Sequence, residues 1–314
     1  MQAKTERRVT RETPEWECVV ERQAEIGEIP VWAGMEGDVL YWIDIRAPRL
    51  YRTDLAGGAE RSWTLPSPIG SFALWREGGG AVVALQSGVH DLDFATGALT
   101  LLHAAPYDPA HYRLNDGRCD RQGRFWVGSM RLHTSPLPHG NAHFYRLDQR
   151  GFQAVIPGVS IANGLAWSPD NRTMYIADGP NRQVLAFDYD IETGTPSNRR
   201  VFFRVDLDGG SPDGATVDAE GGYWVAMIRG GRILRYRPDG TLDRELQAPT
   251  MIPTMVAFGG ADLDTLYLTT SSSHYADAAA RAREPLAGSV FRCRPGVRGI
   301  LEPTFAFHGR TGAA

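Results

Sequence analysis

The sequence predicts an all-β fold: a six-bladed β-propeller with four-stranded blades around a central channel. Two observations carry that prediction. One short pattern of strands and turns recurs six times along the 314 residues, and helical periodicity is nearly absent.

The repeat is a Gly- or Asp-containing turn, a run of aromatic or β-branched residues, a short gap and a second strand. It runs as GDVLYWIDIRAPRLYRTDL (37–55), GGAVVALQSGVHDLDFATG (79–97), and GRFWVGSM (123–130) resuming as HFYRLDQRG (143–151). The later copies are NRTMYIADGPNRQVLAFDYD (171–190), GGYWVAMIRGGRILRYRPDG (221–240), and DTLYLTTSSS (264–273) resuming as GSVFRCRPG (288–296). Anchored on Tyr41, Val83, Trp126, Tyr175, Trp224 and Tyr267, the copies are 42, 43, 49, 49 and 43 residues apart. Units of that length with several strands each are propeller blades. A parallel α/β fold would need amphipathic helices between its strands, and the one helical stretch is an insertion between Tyr275 and Glu284.

Upstream of each anchor lies one more segment, read as the innermost strand: GEIPVW (27–32), PIGSFALW (68–75), LNDGRCD (114–120), NGLAWSPD (163–170), PDGATVD (212–218) and PTMVAFGG (253–260). Residues 16–308 form a single propeller on this reading, with a disordered tail at 1–15 and a flexible tail at 309–314. Trp16–Val20 is expected to close the ring by completing a blade built from C-terminal residues such as Thr304 to Phe307.

The formal net charge is −4 with acids and bases interspersed, so no nucleic-acid or membrane partner is expected. Three cysteines without metal-type spacing point to a reducing compartment. The N-terminal segment lacks the apolar stretch of a signal peptide, and a cytoplasmic protein, monomeric or a small homo-oligomer, is expected.

Four of the innermost strands start with a polar residue: Glu28, Asn115, Asn163 and Asp213, placed 13, 11, 12 and 11 residues before their anchors. Asn-Gly and Pro-Asp-Gly are also ordinary turn sequences, and Pro238-Asp239-Gly240, after an outer strand, is expected to be a plain turn. The shared position of the four sets them apart. Carboxylates converging in a narrow channel repel each other unless a cation neutralises them, and the all-oxygen set suits Ca²⁺, Mg²⁺ or Mn²⁺. No G-x-S-x-G, H-E-x-x-H or P-loop motif is present.

The motifs GEIPVW…LYWIDI, RLNDGRCDRQGRFWVGSM, NGLAWSPDNRTMYIAD and SPDGATVDAEGGYWVA resemble the senescence marker protein/gluconolactonase/luciferin-regenerating family, which includes regucalcin, over about residues 24–296. The resemblance implies a lactonase that depends on one divalent metal ion (Ca²⁺, Zn²⁺, Mn²⁺, Mg²⁺ or Fe²⁺) and opens a sugar lactone. It implies Glu28, Asn163 and Asp213 as metal ligands, Asp213 as general base, and Arg113 and Asn115 as substrate contacts. His133 stands where several members carry an acidic residue that contacts substrate, and Arg118 stands where lysine is usual. Rival readings are a metal-dependent esterase or organophosphate hydrolase on the same fold, and a non-catalytic calcium- or protein-binding propeller.

Overall fold

The computed structural model describes residues 9–205 and 209–307. The chain begins with β1 (Thr10–Glu12) and β2 (Glu17–Val20), which both end up in late blades. Blade one is β3 (Gly27–Trp32), β4 (Val39–Asp44), β5 (Arg49–Asp54) and β6 (Glu60–Thr64). Blade two is β7 (Ile69–Leu74), β8 (Gly80–Leu85), β9 (Gly88–Asp93) and β10 (Leu99–Ala104). Blade three is β11 (Tyr112–Cys119), β12 (Phe125–Arg131), β13 (Ala142–Asp148) and β14 (Gly151–Val159). Blade four is β15 (Ala162–Trp167), β16 (Thr173–Asp178), β17 (Gln183–Asp190) and β18 (Thr195–Arg204). Blade five is β19 (Ser211–Val217), β20 (Tyr223–Ile228), β21 (Arg232–Tyr236) and β22 (Leu242–Gln247). Blade six is β23 (Pro253–Gly259), β24 (Thr265–Thr270), β25 (Val290–Cys293) and the N-terminal β2.

Within each blade the strands follow in antiparallel order from the inside out, and the six inner strands contact one another in a closed ring. All six predicted anchors sit on the second strands and are 0–3 % exposed. A second strand is covered on both faces by neighbouring blades, which is why GAVVAL in β8 is apolar without alternation and buried throughout. Outer strands such as β18 face water and carry arginines.

Ring closure differs from the expectation in its partner. β2 pairs with β25 (Cys18 opposite Phe291), so the blade is completed by residues 290–293. Residues 298–306 instead cross the end of the channel opposite the inner-strand starts. The Ala219 amide donates to the Arg298 carbonyl, the Phe305 amide to Leu74, and the Ala306 amide to Gly123. Thr10–Glu12, expected in the tail, adds a fifth strand parallel to β22, held by the ion pair of Arg244 with Glu12 at 2.8 Å. Residues 1–8 of the expected tail and those from 308 onward lie outside the described residues. The expected insertion holds a short helix, α1 (Ala278–Ala282), capped by Asp277 accepting from the Ala280 amide at 2.7 Å. Pro238–Gly240 is the expected turn, tied by the Thr241 amide to Asp239 Oδ1 at 3.0 Å.

A buried aspartate ends inner strands three and five. Asp218 is fully buried; its Oδ2 accepts from Trp224 Nε1 and Arg235 Nε, both at 2.7 Å, and its Oδ1 accepts the amides of Glu220 and Gly222. Asp120 does the same for Trp126 and Arg124. Asp218→Ala leaves the Trp224 indole N–H and Arg235 Nε without their acceptor, while Arg235 keeps Glu220 and Asp243, so it should lower stability by about 2–3 kcal/mol, read as a drop in the denaturant midpoint.

Candidate active site

Every inner strand breaks register with the second strand near its start: between Glu28 and Val31, Ile69 and Ser71, Leu114 and Gly117, Asn163 and Ala166, Pro212 and Ala215, and Pro253 and Met255. Such a bulge turns a side chain away from its normal alternation. Repeated at one level of six blades, it aims Glu28, Asn115, Asn163 and Asp213 into one cavity of about 440 Å³ at the channel mouth. The backbone shows the strain of this arrangement. Gly164, after Asn163, has φ 60°, and the residue after Glu28 is Ile29 with φ 49°, a conformation that a β-branched residue rarely adopts. In blades two and six the corresponding hydroxyls bond to backbone instead: Ser71 Oγ donates to the Gly117 carbonyl at 2.7 Å and Thr254 Oγ1 to the Gly27 carbonyl at 2.6 Å.

The four polar residues are 6–8 % exposed. Asn115 Nδ2 donates to Asn163 Oδ1 at 2.6 Å and to the Ala162 carbonyl at 2.9 Å. Asn115 therefore positions Asn163, and its own Oδ1 is the group it can offer to a ligand. Asn163 in turn hydrogen-bonds the Asp213 carboxylate. Arg113 lines the same cavity, with Nη1 donating to the Leu114 carbonyl at 2.8 Å.

Asp116, unnoticed in the sequence, is a third carboxylate here. It is buried, its Oδ2 accepts the Leu165 amide at 3.3 Å, and its Oδ1 has no hydrogen-bond partner among the described residues. Burial pushes Glu28 well above the usual carboxylate range, with Asp213 and Asp116 adding to the rise. Burial also lifts Asp213 well above its ordinary value, followed by Asp116, while Arg113 and Asn163 oppose. Burial raises Asp116 too, against the pull of Arg118. Desolvation lowers Arg113 to about 10.

Among the described residues, no group of three His, Cys, Asp or Glu side chains is arranged to hold a metal ion; the predicted set comprises two carboxylates and one amide oxygen. The donor chemistry fits a hard divalent cation. The two carboxylates share a desolvated cavity that penalises their charge, and Asn163 Oδ1 keeps a second lone pair beside the one given to Asn115.

His133 lies further out, exposed at the mouth. Arg46, Arg229 and His274 line the mouth beside it and escaped the sequence reading. A signal existed, because all four follow the second strand of their blades (β4, β12, β20 and β24), at the end where inner strands start. Arg118 sits deeper, paired with Glu302 at 2.6 Å and donating to the Ala215 carbonyl, so it braces the crossing C-terminal segment. Another cavity of about 200 Å³ opens at that opposite end; its walls include Trp32, Phe72, Trp75 and Phe94, and no predicted site residue lines it.

A family model described as SMP-30/Gluconolactonase/LRE-like region matches residues 26–272. The chain is 45% identical to a 6-deoxy-6-sulfogluconolactonase of Pseudomonas putida, with 92% of this chain and 98% of that one aligned. It is 35% identical to regucalcin of Xenopus laevis, covering 92% and 98%. Among solved structures, a calcium-binding protein, regucalcin, from Agrobacterium tumefaciens superposes with a TM-score of 0.88 at 28% identity, covering 95% and 99%. A luciferin-regenerating enzyme superposes with a TM-score of 0.86 at 28% identity, covering 93% and 99%.

Proposed function

The chain belongs to the SMP-30/gluconolactonase/LRE-like family and is a lactonase, and from that premise we propose that it opens an aldonolactone to the aldonic acid at the channel mouth. The observation that carries this reading is the pair of buried carboxylates, Glu28 and Asp213, held beside two amides and Arg113 in a single cavity. Glu28, Asn163 and Asp213 would hold one divalent cation, which when bound supplies Lewis-acid polarisation of the lactone carbonyl. Ca²⁺ suits the all-oxygen donors, and one solved relative is described as calcium-binding.

Water attack joins the water oxygen to the carbonyl carbon and breaks the bond from that carbon to the ring oxygen. Asp213 takes the proton released by the water and returns it to the departing ring oxygen, which leaves as a hydroxyl on the opened chain. Its raised proton affinity suits that shuttle, a role worth about 10²–10⁴-fold. Arg113 and the Oδ1 of Asn115 orient ring hydroxyls, with Asn115 also fixing Asn163.

A pH-stat panel of aldonolactones and a paraoxon-type ester tests the substrate class. Opening of at least one aldonolactone well above its uncatalysed rate, with much weaker paraoxon turnover, is expected. The reverse order overturns the reading.

A further inference from the structure

The channel mouth has a charge pattern that lactone opening does not use. Its floor carries Glu28 and Asp213, while its rim carries Arg46, His133, Arg229 and His274. Several arginines elsewhere are neutralised: Arg118 by Glu302, Arg124 by Asp120, Arg235 by Asp218, Arg244 by Glu12 and Arg292 by Glu17. Among the described residues, the guanidiniums of Arg46 and Arg229 have neither an ion pair nor a hydrogen bond. They act on a common space. After burial, Arg46, Arg113, Arg131 and Arg229 all hold His133 below its ordinary value; burial, then Arg229, Arg46 and His133, lower His274 to about 4. Both imidazoles are therefore neutral near pH 7, donors without charge, beside two unpaired cations.

The backbone adds a second observation. Arg229 has φ 61° and His274 has φ 68°, so two non-glycine residues of the rim are held in the left-handed region. Strain of this kind at a cavity mouth, and mutual repulsion of cations, are both tolerated where a ligand offsets them.

We propose that Arg46, Arg229, His133 and His274 form an anion subsite that takes a sulfonate or phosphate borne by the substrate at the end remote from its lactone carbonyl. This rests on the lactonase reading above. A substrate with its carbonyl at the Glu28–Asp213 floor reaches the rim only with its far end, so the anion is part of the same molecule. Sulfonate and phosphate share the tetrahedral oxygens that guanidinium and imidazole N–H groups bind.

The test measures kcat and KM by pH-stat for glucono-1,5-lactone, its 6-phosphate and its 6-deoxy-6-sulfonate, each corrected for uncatalysed opening. At least one anionic lactone is expected to be favoured about ten-fold or more, mainly through KM, and the favoured one identifies the anion. In Arg46→Gln/Arg229→Gln that preference should shrink by about ten-fold, with partial rescue by Arg46→Lys/Arg229→Lys. For the unmodified enzyme, KM of the anionic lactone should rise steeply with salt while that of the neutral lactone stays nearly flat. Equal kcat/KM for all three lactones, or a preference that survives the double substitution, overturns the subsite and leaves the lactonase reading standing. No hydrolysis of any of the three overturns the lactonase reading itself.

Discussion

Asp213→Asn is expected to lower kcat for lactone opening by about 10²–10⁴-fold while the blades stay folded. The substitution keeps the shape of a side chain that lies in the cavity and outside the apolar core, so its effect falls on chemistry. It removes the proposed proton acceptor and one of the two carboxylates proposed to hold the cation. A second readout separates this from a structural defect. Burial pushes the Asp213 carboxyl well above its ordinary value, so the folded protein bears a penalty for ionising it at neutral pH. Replacing it with a neutral amide removes that penalty. The metal-free variant should therefore melt at the same temperature as the unaltered protein or higher, even as activity disappears. Near-normal turnover would contradict the role, and so would a large loss of thermal stability.

Glu28→Gln should abolish activity comparably, and with it the thermal stabilisation conferred by a divalent cation. A ligand present at a hundred times its Kd stabilises the native state by about 2.7 kcal/mol. The pH dependence of that gain has a definite sign. In the unfolded chain Glu28 and Asp213 titrate near 4.5 and 3.8; in the folded chain both are raised. Their contribution to metal-free stability is thus greatest below those values and is lost as pH rises toward the folded ones. A cation binds the ionised pair and competes with protons, so the rise in Tm on adding Ca²⁺ should be small near pH 5 and larger near pH 8. Differential scanning calorimetry reads this directly, and a gain in Glu28→Gln as large as that of the unaltered protein would remove Glu28 from the proposed ligand set.

The sequence exposes the blades because each second strand is buried on both faces and must be apolar without alternation, as in Ala81–Leu85 and Trp224–Met227. The inner-strand starts are legible because Glu28, Asn115, Asn163 and Asp213 recur at nearly one distance from those anchors. Features set by through-space packing stay hidden. Asp116 reads as the middle of an Asn-Asp-Gly turn until the bulge at Leu114–Gly117 places it beside Leu165 of the next blade. Arg46 and Arg229 are single residues in tight turns 183 positions apart, with nothing local to mark them. The N-terminal strand does close the ring, but its partner is Val290–Cys293 and not Thr304–Phe307, because Phe305 bridges to Trp75 at the far end of blade two.

The most direct test is lactone opening by one preparation before and after metal removal. Stripped of divalent ions, the protein should open glucono-1,5-lactone no faster than buffer, and one equivalent of a restored divalent cation should return the rate. A full rate in protein shown by elemental analysis to contain no metal would contradict the account.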